Sequence, residues 1–450
     1  MRLWIKAPLA SFDGYEPLEG NGFVIENNRI VQILEPGQRP ARPVDDVHDA
    51  SDKVVIPGLI NTHHHYFQTL TRACPAGLNK TLFPWLTGLY PIWAGLTPEM
   101  VHVSTRLACA ELLLSGCTTS ADHHYLYTNR CPDALDIQVE AVRQAGIRSM
   151  LTRGSMDMGK NQGGLPPANT VQDTDTILSH CEQKIDQYHD PGPDSMLRIA
   201  LAPCSPFSVT RELMVRTAEL AEKKGVRLHT HLAETRDENV FSESNLGCRP
   251  LDYLESTGWM QDNAWLAHGI HFDDPEIERL GSKKVGIAHC PTSNMVLGSG
   301  CCRAMSLVEA GARVGLGVDG SASNDCSNMM QEVRQSLLLQ RLASGPERFG
   351  HLEALRLATS GSADCLGWPE IGRLQVGSLA DIALYRLDEL RFSGTGDPIA
   401  GLVLCGGHRA CDVMVNGIWQ VREGRLLAPD MERIRKQHRS LAMQIQQEAG

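Results

Sequence analysis

Three consecutive histidines, His63, His64 and His65, close the apolar run VVIPGLINTHHH at residues 54 to 65. In an extended chain successive side chains point to opposite faces, so His63 and His65 share one face and His64 takes the other. Two imidazoles aimed at one point begin a metal site, because zinc accepts imidazole nitrogen and carboxylate oxygen as ligands. Other donors lie far along the chain at the ends of β-rich segments: His231 in VRLHTHLAE, His268 in AWLAHGIH, His289 in KVGIAHCPTSN and Asp319 in ARVGLGVDGSASND. His63, His65, His231 and Asp319 form a set of three nitrogens and one carboxylate that leaves a position for water on a divalent ion. Zinc and ferrous iron both suit such a set. Glu234, three residues after His231, can bring a second carboxylate beside that water. His229 has no such companion and His64 faces the other way, so both are expected in supporting or packing roles.

Donors so far apart in sequence need a scaffold that collects strand ends. Eight short β-rich segments recur, at 54 to 65, 116 to 124, 147 to 156, 197 to 206, 226 to 234, 264 to 271, 284 to 294 and 312 to 325. Helical stretches separate them. In TRELMVRTAELAEKKG (210 to 225), Leu213, Met214, Ala218 and Ala221 repeat at helical spacing, Thr210 can cap the start and Gly225 can end it. Strand and helix alternating eight times predict an α/β fold, a (β/α)8 TIM barrel, whose active site lies at the C-terminal ends of its strands. The candidate ligands sit at those ends. Residues 1 to 56 read instead as short strands with a turn at Asn27-Asn28, and the style returns after residue 372 with a turn at Asn416-Gly417. The expectation is a small discontinuous β-sandwich from segments 1–56 and 372–450, the latter ending in a polar helix, around a barrel of residues 57–371.

Composition narrows the class of partner. The chain has 450 residues, 42% hydrophobic and 21% charged, which is ordinary for a globular protein. Its net charge of -11 repels phosphate backbones, so a nucleic-acid polymer is not the expected partner. A free nucleobase remains compatible. No apolar run is long enough to span a bilayer and the N-terminus does not read as a signal peptide, which makes the cytoplasm the expected compartment. Fourteen scattered cysteines without a CxxC fit that compartment as free thiols.

PGLINTHHH, HTHLAE, LAHGIH, HCPTSN and GVDGSASND, in this order, resemble the amidohydrolase superfamily, in particular its single-metal deaminase and chlorohydrolase branch. The resemblance covers nearly the whole chain, including GRLQVGSLADIAL near the end. It implies that Asp319 accepts a proton from the attacking water while remaining a ligand, that Glu234 carries a proton to a ring nitrogen of the substrate, and that His268 orients the nucleophile. LAPCSP at the fourth strand lacks the lysine that bridges two metals in other branches, which implies one ion. Gln68 stands where guanine-acting members carry a glutamine that contacts the base, and Cys204 departs from the histidine or arginine of related deaminases. Trp85 in LFPWL can cover a ring or pack. Arg153 in LTRGSM can bind a carbonyl oxygen or pair with an acid. His289 is open between substrate contact, support and packing.

The narrower wording, with ADHHYL, LTRGSM and APCSPFSV, is similar to aminohydrolases that convert 8-oxoguanine to uric acid with release of ammonia, and His123 and His124 belong to it without a derivable role. Isoxanthopterin, guanine or a substituted triazine are the alternative substrates. A cyclic-amide hydrolase and a catalytically inactive metal-binding protein are the alternative classes, the second disfavoured by intact Glu234, His268 and Asp319. A homodimer is expected from the resemblance alone.

Overall fold

The computed structural model describes residues 1–448. Eight parallel strands form the central sheet, in sequence order: β1 (Leu59–Asn61), β2 (Cys117–His124), β3 (Arg148–Ser155), β4 (Leu197–Pro203), β5 (Arg227–Leu232), β6 (Ala264–His268), β7 (Gly286–His289) and β8 (Arg313–Leu316). The seam between β8 and β1 is drawn together by backbone bonds from Thr62 N–H to Leu316 O (2.9 Å) and from Asp319 N–H to His63 O (3.0 Å). The chain is a (β/α)8 barrel. Alternation along each strand divides the core in two: Ala121, Met150, Ala200, Trp265 and Ala288 fill the interior, while Leu151, Leu201, Leu228, Leu266 and Ile287 face the surrounding helices. The helix Arg211–Lys224 begins where Thr210 Oγ1 accepts the Leu213 N–H (3.2 Å) and ends at Gly225 with φ of 65°, a left-handed stop that glycine adopts without strain.

The stretch 54 to 65 is not one strand. Lys53–Pro57 pairs with Ile382–Arg386 outside the barrel, and the barrel strand starts afresh at Leu59. Gly58 makes the transition, because a Cβ there would lie 2.1 Å from Thr118 Oγ1. The three histidines therefore follow β1 as extended loop rather than terminating it. Their ladder contacts persist, since His64 O accepts from His123 N–H at 2.7 Å.

Both ends of the chain build the second layer. A six-stranded sheet runs in the order Arg425–Leu426, Ile418–Arg422, Asp412–Val415, Ile382–Arg386, Lys53–Pro57, Ala10–Ser11, and a four-stranded sheet in the order Arg29–Ile33, Gly22–Glu26, Arg2–Lys6, Asp46–Asp49. Leu3, Ile5, Phe23 and Ile25 of one meet Val55, Ile382, Leu384 and Met414 of the other. Both expected hairpins are present, with Asn27 (φ 56°), Asn416 (φ 50°) and Gly417 (φ 77°) in the left-handed region their tight turns require. The final helix, Met431–Glu448, packs against the barrel and not against this sandwich: Ile434, Leu441 and Ile445 are buried with Leu70, Trp93 and Leu86. All fourteen cysteines are free. Among the described residues no helix is long and apolar enough to cross a membrane.

Candidate active site

The loops leaving the strands are tightly shaped. Ala233 (φ 54°), His268 (φ 74°) and Asp319 (φ 62°) all adopt left-handed backbone, a conformation that costs roughly 1–3 kcal/mol for such residues and concentrates where function holds it in place. At His268 the effect is direct. Trp265 points into the barrel and Leu266 outward, so unbroken alternation would send His268 outward too; the positive φ turns it inward, where Asn294 Oδ1 meets its Nδ1 at 3.0 Å. Buried Glu238 holds the turn at Ala233 and Glu234 by accepting both backbone N–H groups, at 2.8 and 2.9 Å. Gly317 gives His63 its room, since a Cβ there would meet the His63 Cβ at 2.9 Å.

His63, His65 and His231 converge, and each has its Nδ1 committed. His65 Nδ1 donates to His123 O (2.7 Å), His231 Nδ1 to Cys204 O (2.6 Å), and His63 Nδ1 to His229 Nε2 (2.8 Å), while His229 in turn donates its own Nδ1–H to Trp265 O (2.9 Å). These partners leave three Nε2 lone pairs facing inward. Burial above all, reinforced by the neighbouring imidazoles, holds His63 and His231 well below the usual histidine range, so both are neutral. His65 Nε2 then faces His231 Nε2 at 3.2 Å, and Asp319 Oδ1 lies 3.2 Å from His63 Nε2 and 3.3 Å from His65 Nε2. Acceptors held this close without a shared proton repel one another unless a cation sits among them. Buried His63 Nε2 has no hydrogen-bond partner. The residues fit a divalent ion.

Beside this cluster lie the acid and base groups. Glu234 Oε2 is 3.5 Å from His268 Nε2, and Asp319 Oδ2 is 4.0 Å from the same nitrogen. Burial raises the Glu234 carboxyl above the ordinary carboxylate range. Burial opposes a charge on His268, but the Glu234 and Asp319 carboxylates and the bond to Asn294 outweigh it and raise its pKa. Ser293 donates to Asp319 Oδ2 at 2.6 Å, and Gly320 N–H to Asp319 Oδ1 at 2.7 Å. The arrangement can accept a proton from water at one carboxylate and deliver one from another.

A cavity opens above these groups, floored by His65, His231, Glu234, His268 and Asp319 and walled by apolar Leu82, Leu86, Phe207 and Leu297. Gln68, Trp85 and Cys204 also line it. Ala322 ties two of them together, its N–H meeting Gln68 Oε1 at 3.4 Å and its carbonyl accepting from Trp85 Nε1 at 3.2 Å. Arg153 is the exception and needs correction: it does not reach the cavity. It shares the outward face of Leu151, where its guanidinium lies 3.7 Å above the Tyr127 ring and bonds Gln172 Oε1 at 2.7 Å. His64 turns to Ser327 (2.9 Å), His124 to Leu126 O (2.9 Å), and His289 to Gln340 on a flanking helix (3.3 Å). His123 stacks on His231 at 4.8 Å with its ring planes 17° apart. Sequence reasoning passed over Tyr90, Tyr125 and Ser205, which line the cavity. Tyr125 carried a signal, because it follows inward-facing His123 by two positions, the spacing at which side chains of an extended segment share a face.

The comparisons agree with this geometry. The chain is 54% identical over 441 residues to 8-oxoguanine deaminase from Pseudomonas aeruginosa, covering 98% of both proteins. It is 36% identical to isoxanthopterin deaminase from an unknown prokaryotic organism, over 83% of this chain and 81% of that one. Among solved structures, atrazine chlorohydrolase from Arthrobacter aurescens TC1 complexed with zinc superposes with a TM-score of 0.93 at 34% identity, covering 98% of this chain and all of that one (100%). The amidohydrolase family model matches residues 54–415. Taken with the barrel and the donors at its strand ends, that match means that this chain belongs to the amidohydrolase family.

Proposed function

We propose that this chain is a metal-dependent aminohydrolase that converts 8-oxoguanine and water to uric acid and ammonia. The reaction type rests on one observation, the Glu234, His268 and Asp319 side chains gathered against a cation-fitting cluster at the floor of an aromatic-lined cavity. The choice of base is supported by the 54% identity to an 8-oxoguanine deaminase over 98% of both chains. A relative solved with zinc supports one divalent ion, zinc ahead of ferrous iron, on His63, His65, His231 and Asp319. When bound, such an ion lowers the pKa of water toward about 7 and so makes a nucleophile available near neutrality.

The chain's own groups account for the remaining steps. A flat heterocycle enters between Trp85 and the apolar wall with its amino-bearing carbon toward the floor. His268, fixed by Asn294, hydrogen-bonds the attacking water, and Asp319 takes one of its protons. Glu234, whose carboxyl burial raises above the ordinary range and so makes a better proton donor, donates to the ring nitrogen next to that carbon as the water oxygen bonds to it. The carbon–nitrogen bond then breaks, the amino group leaves as ammonia with the second water proton, a carbonyl remains, and the proton held by Asp319 returns to Glu234 to restore both groups. Gln68 meets the amide edge of the base. The reading carries with it a cytoplasmic enzyme and, from resemblance, a homodimer, which chromatography would place near twice the 49.4 kDa chain mass.

Ammonia release from a panel of 8-oxoguanine, guanine, isoxanthopterin and a hydroxylated amino-triazine tests the assignment. The highest kcat/KM should fall on 8-oxoguanine. Turnover of another base with none of 8-oxoguanine would overturn the substrate, and ring opening without ammonia would overturn the reaction. Glu234→Gln should retain metal and lose about 10²–10⁴-fold in kcat, the range a positioned acid–base group supplies. Near-normal turnover would remove Glu234 from the mechanism.

A further inference from the structure

The C-terminal helix Met431–Glu448 lies far from the donors in sequence and makes no contact that the chemistry above requires. Its position is nonetheless specific. Gln68 sits on a short 3₁₀ helix, Tyr66–Thr71, that begins immediately after His65 and has no side-chain cap of its own. A 3₁₀ turn has poorer hydrogen-bond geometry than an α-helix and holds its shape through its surroundings. The helix Pro98–Leu114 and the C-terminal helix both pack against it, and the C-terminal helix adds side-chain hydrogen bonds. His438 Nε2 lies 3.0 Å from Thr69 Oγ1, whose own hydrogen goes to Tyr66 O (3.0 Å), so His438 is the donor. Gln446 Nε2 donates to Leu70 O at 2.7 Å. Trp93 Nε1 donates to Thr71 Oγ1 at 3.1 Å, and Trp93 is itself packed in the cluster that holds Ile434, Leu441 and Ile445.

We propose that the C-terminal helix belongs to the substrate-recognition apparatus: His438 and Gln446 clamp the 3₁₀ turn from behind and so position Gln68 against the base. The inference rests on Gln68 meeting the base, as in the reading above, and adds the element that holds it there. His438 is buried, and burial keeps it down to about 4, so across the working range it is a neutral donor. Arg106 secures the start of the helix through Asp430, Nη2 to Oδ1 at 2.7 Å. The positioning is therefore geometric and independent of the charge around the catalytic carboxylates. It predicts a defect in recognition with the chemistry spared.

The test compares His438→Leu, which fills the space without a donor, with His438→Gln, whose amide nitrogen can reach the position of Nε2. On 8-oxoguanine, His438→Leu should raise KM about three- to tenfold, the worth of one neutral hydrogen bond, with kcat within about twofold of the parent. His438→Gln should restore KM. Gln68→Ala should raise KM in the same direction, and combining it with His438→Leu should add nothing further, because residues acting through one contact are not additive. Loss of kcat at unchanged KM, or full additivity with Gln68→Ala, overturns the proposal. Hydrogen exchange of the 66–71 amides separates this from the substrate assignment: His438→Leu should speed their exchange and His438→Gln should restore protection, whichever base the enzyme turns over. Unchanged exchange in His438→Leu also overturns it.

Discussion

His229 shows how a residue outside the cavity can still decide what the cavity does. It accepts the Nδ1 proton of His63 and passes its own to Trp265 O, stacking on that indole at 4.3 Å. The chain of bonds sets the His63 tautomer and leaves its Nε2 free for an ion. His229→Phe keeps the stack and removes the acceptor. Metal affinity, measured by chelator competition, should fall about 10–100-fold with the circular dichroism unchanged. Unaltered affinity would show that His63 needs no such partner. At this scale the donors were legible in sequence because chelation demands a few residue types at strand ends. Arg153 and His289 were not, although the signal existed: Met150 and Ala288 face the interior, so their neighbours Leu151 and Ile287, and with them Arg153 and His289, face the helices. His268 breaks that same rule through its left-handed φ of 74°, which no periodicity announces.

Elements pair the site with its support, and β2 shows both faces doing so. His123 points inward beneath His231. Asp122 points outward, where it accepts Tyr66 N–H at 2.6 Å and Gln138 Nε2 at 2.7 Å and thereby ties β2 to the turn after His65. Burial raises the Asp122 carboxyl to about 7. A carboxyl held above its unfolded value of about 3.9 contributes stability that is full below that value and is lost as pH rises through the folded pKa. This one carboxyl should therefore lower Tm as pH rises from about 4 to 7, against the opposite trend of the buried neutral histidines His63, His231 and His438. Asp122→Asn, whose amide can pair with the otherwise unpartnered Gln138 Oε1, should gain Tm relative to the parent as pH rises through that range. A constant Tm difference between variant and parent across that range would show that Asp122 does not titrate there. Hairpins and capped helices such as Arg211–Lys224 were readable because their turn and cap residues are local in sequence. The junction at Gly58 was not, since the run from Val54 to Ile60 is apolar throughout and only the two different sheets divide it.

The whole molecule depends on how the sandwich meets the barrel. Arg148 at the start of β3 bonds Asp381 of the C-terminal segment, Nε to Oδ2 at 2.8 Å and Nη2 to Oδ1 at 3.1 Å, and both side chains are fully buried. Removing one partner of such a pair leaves an uncompensated charge, so Arg148→Met should cost about 3–5 kcal/mol in urea unfolding. A loss below about 1 kcal/mol would mean that Asn416 N–H, 2.6 Å from Asp381 Oδ1, suffices for the carboxylate. Residue types and their order along the chain were enough to call for a barrel, a split β-layer and a set of ligands, because strand and helix periods are local and donors are rare. Tertiary structure alone decided that the final helix braces the turn carrying Gln68 and that Arg153 stays outside the cavity. Its polar pattern permits Met431–Glu448 to lie on any surface, and the choice among surfaces is made by contacts hundreds of residues apart, which no short window of sequence contains.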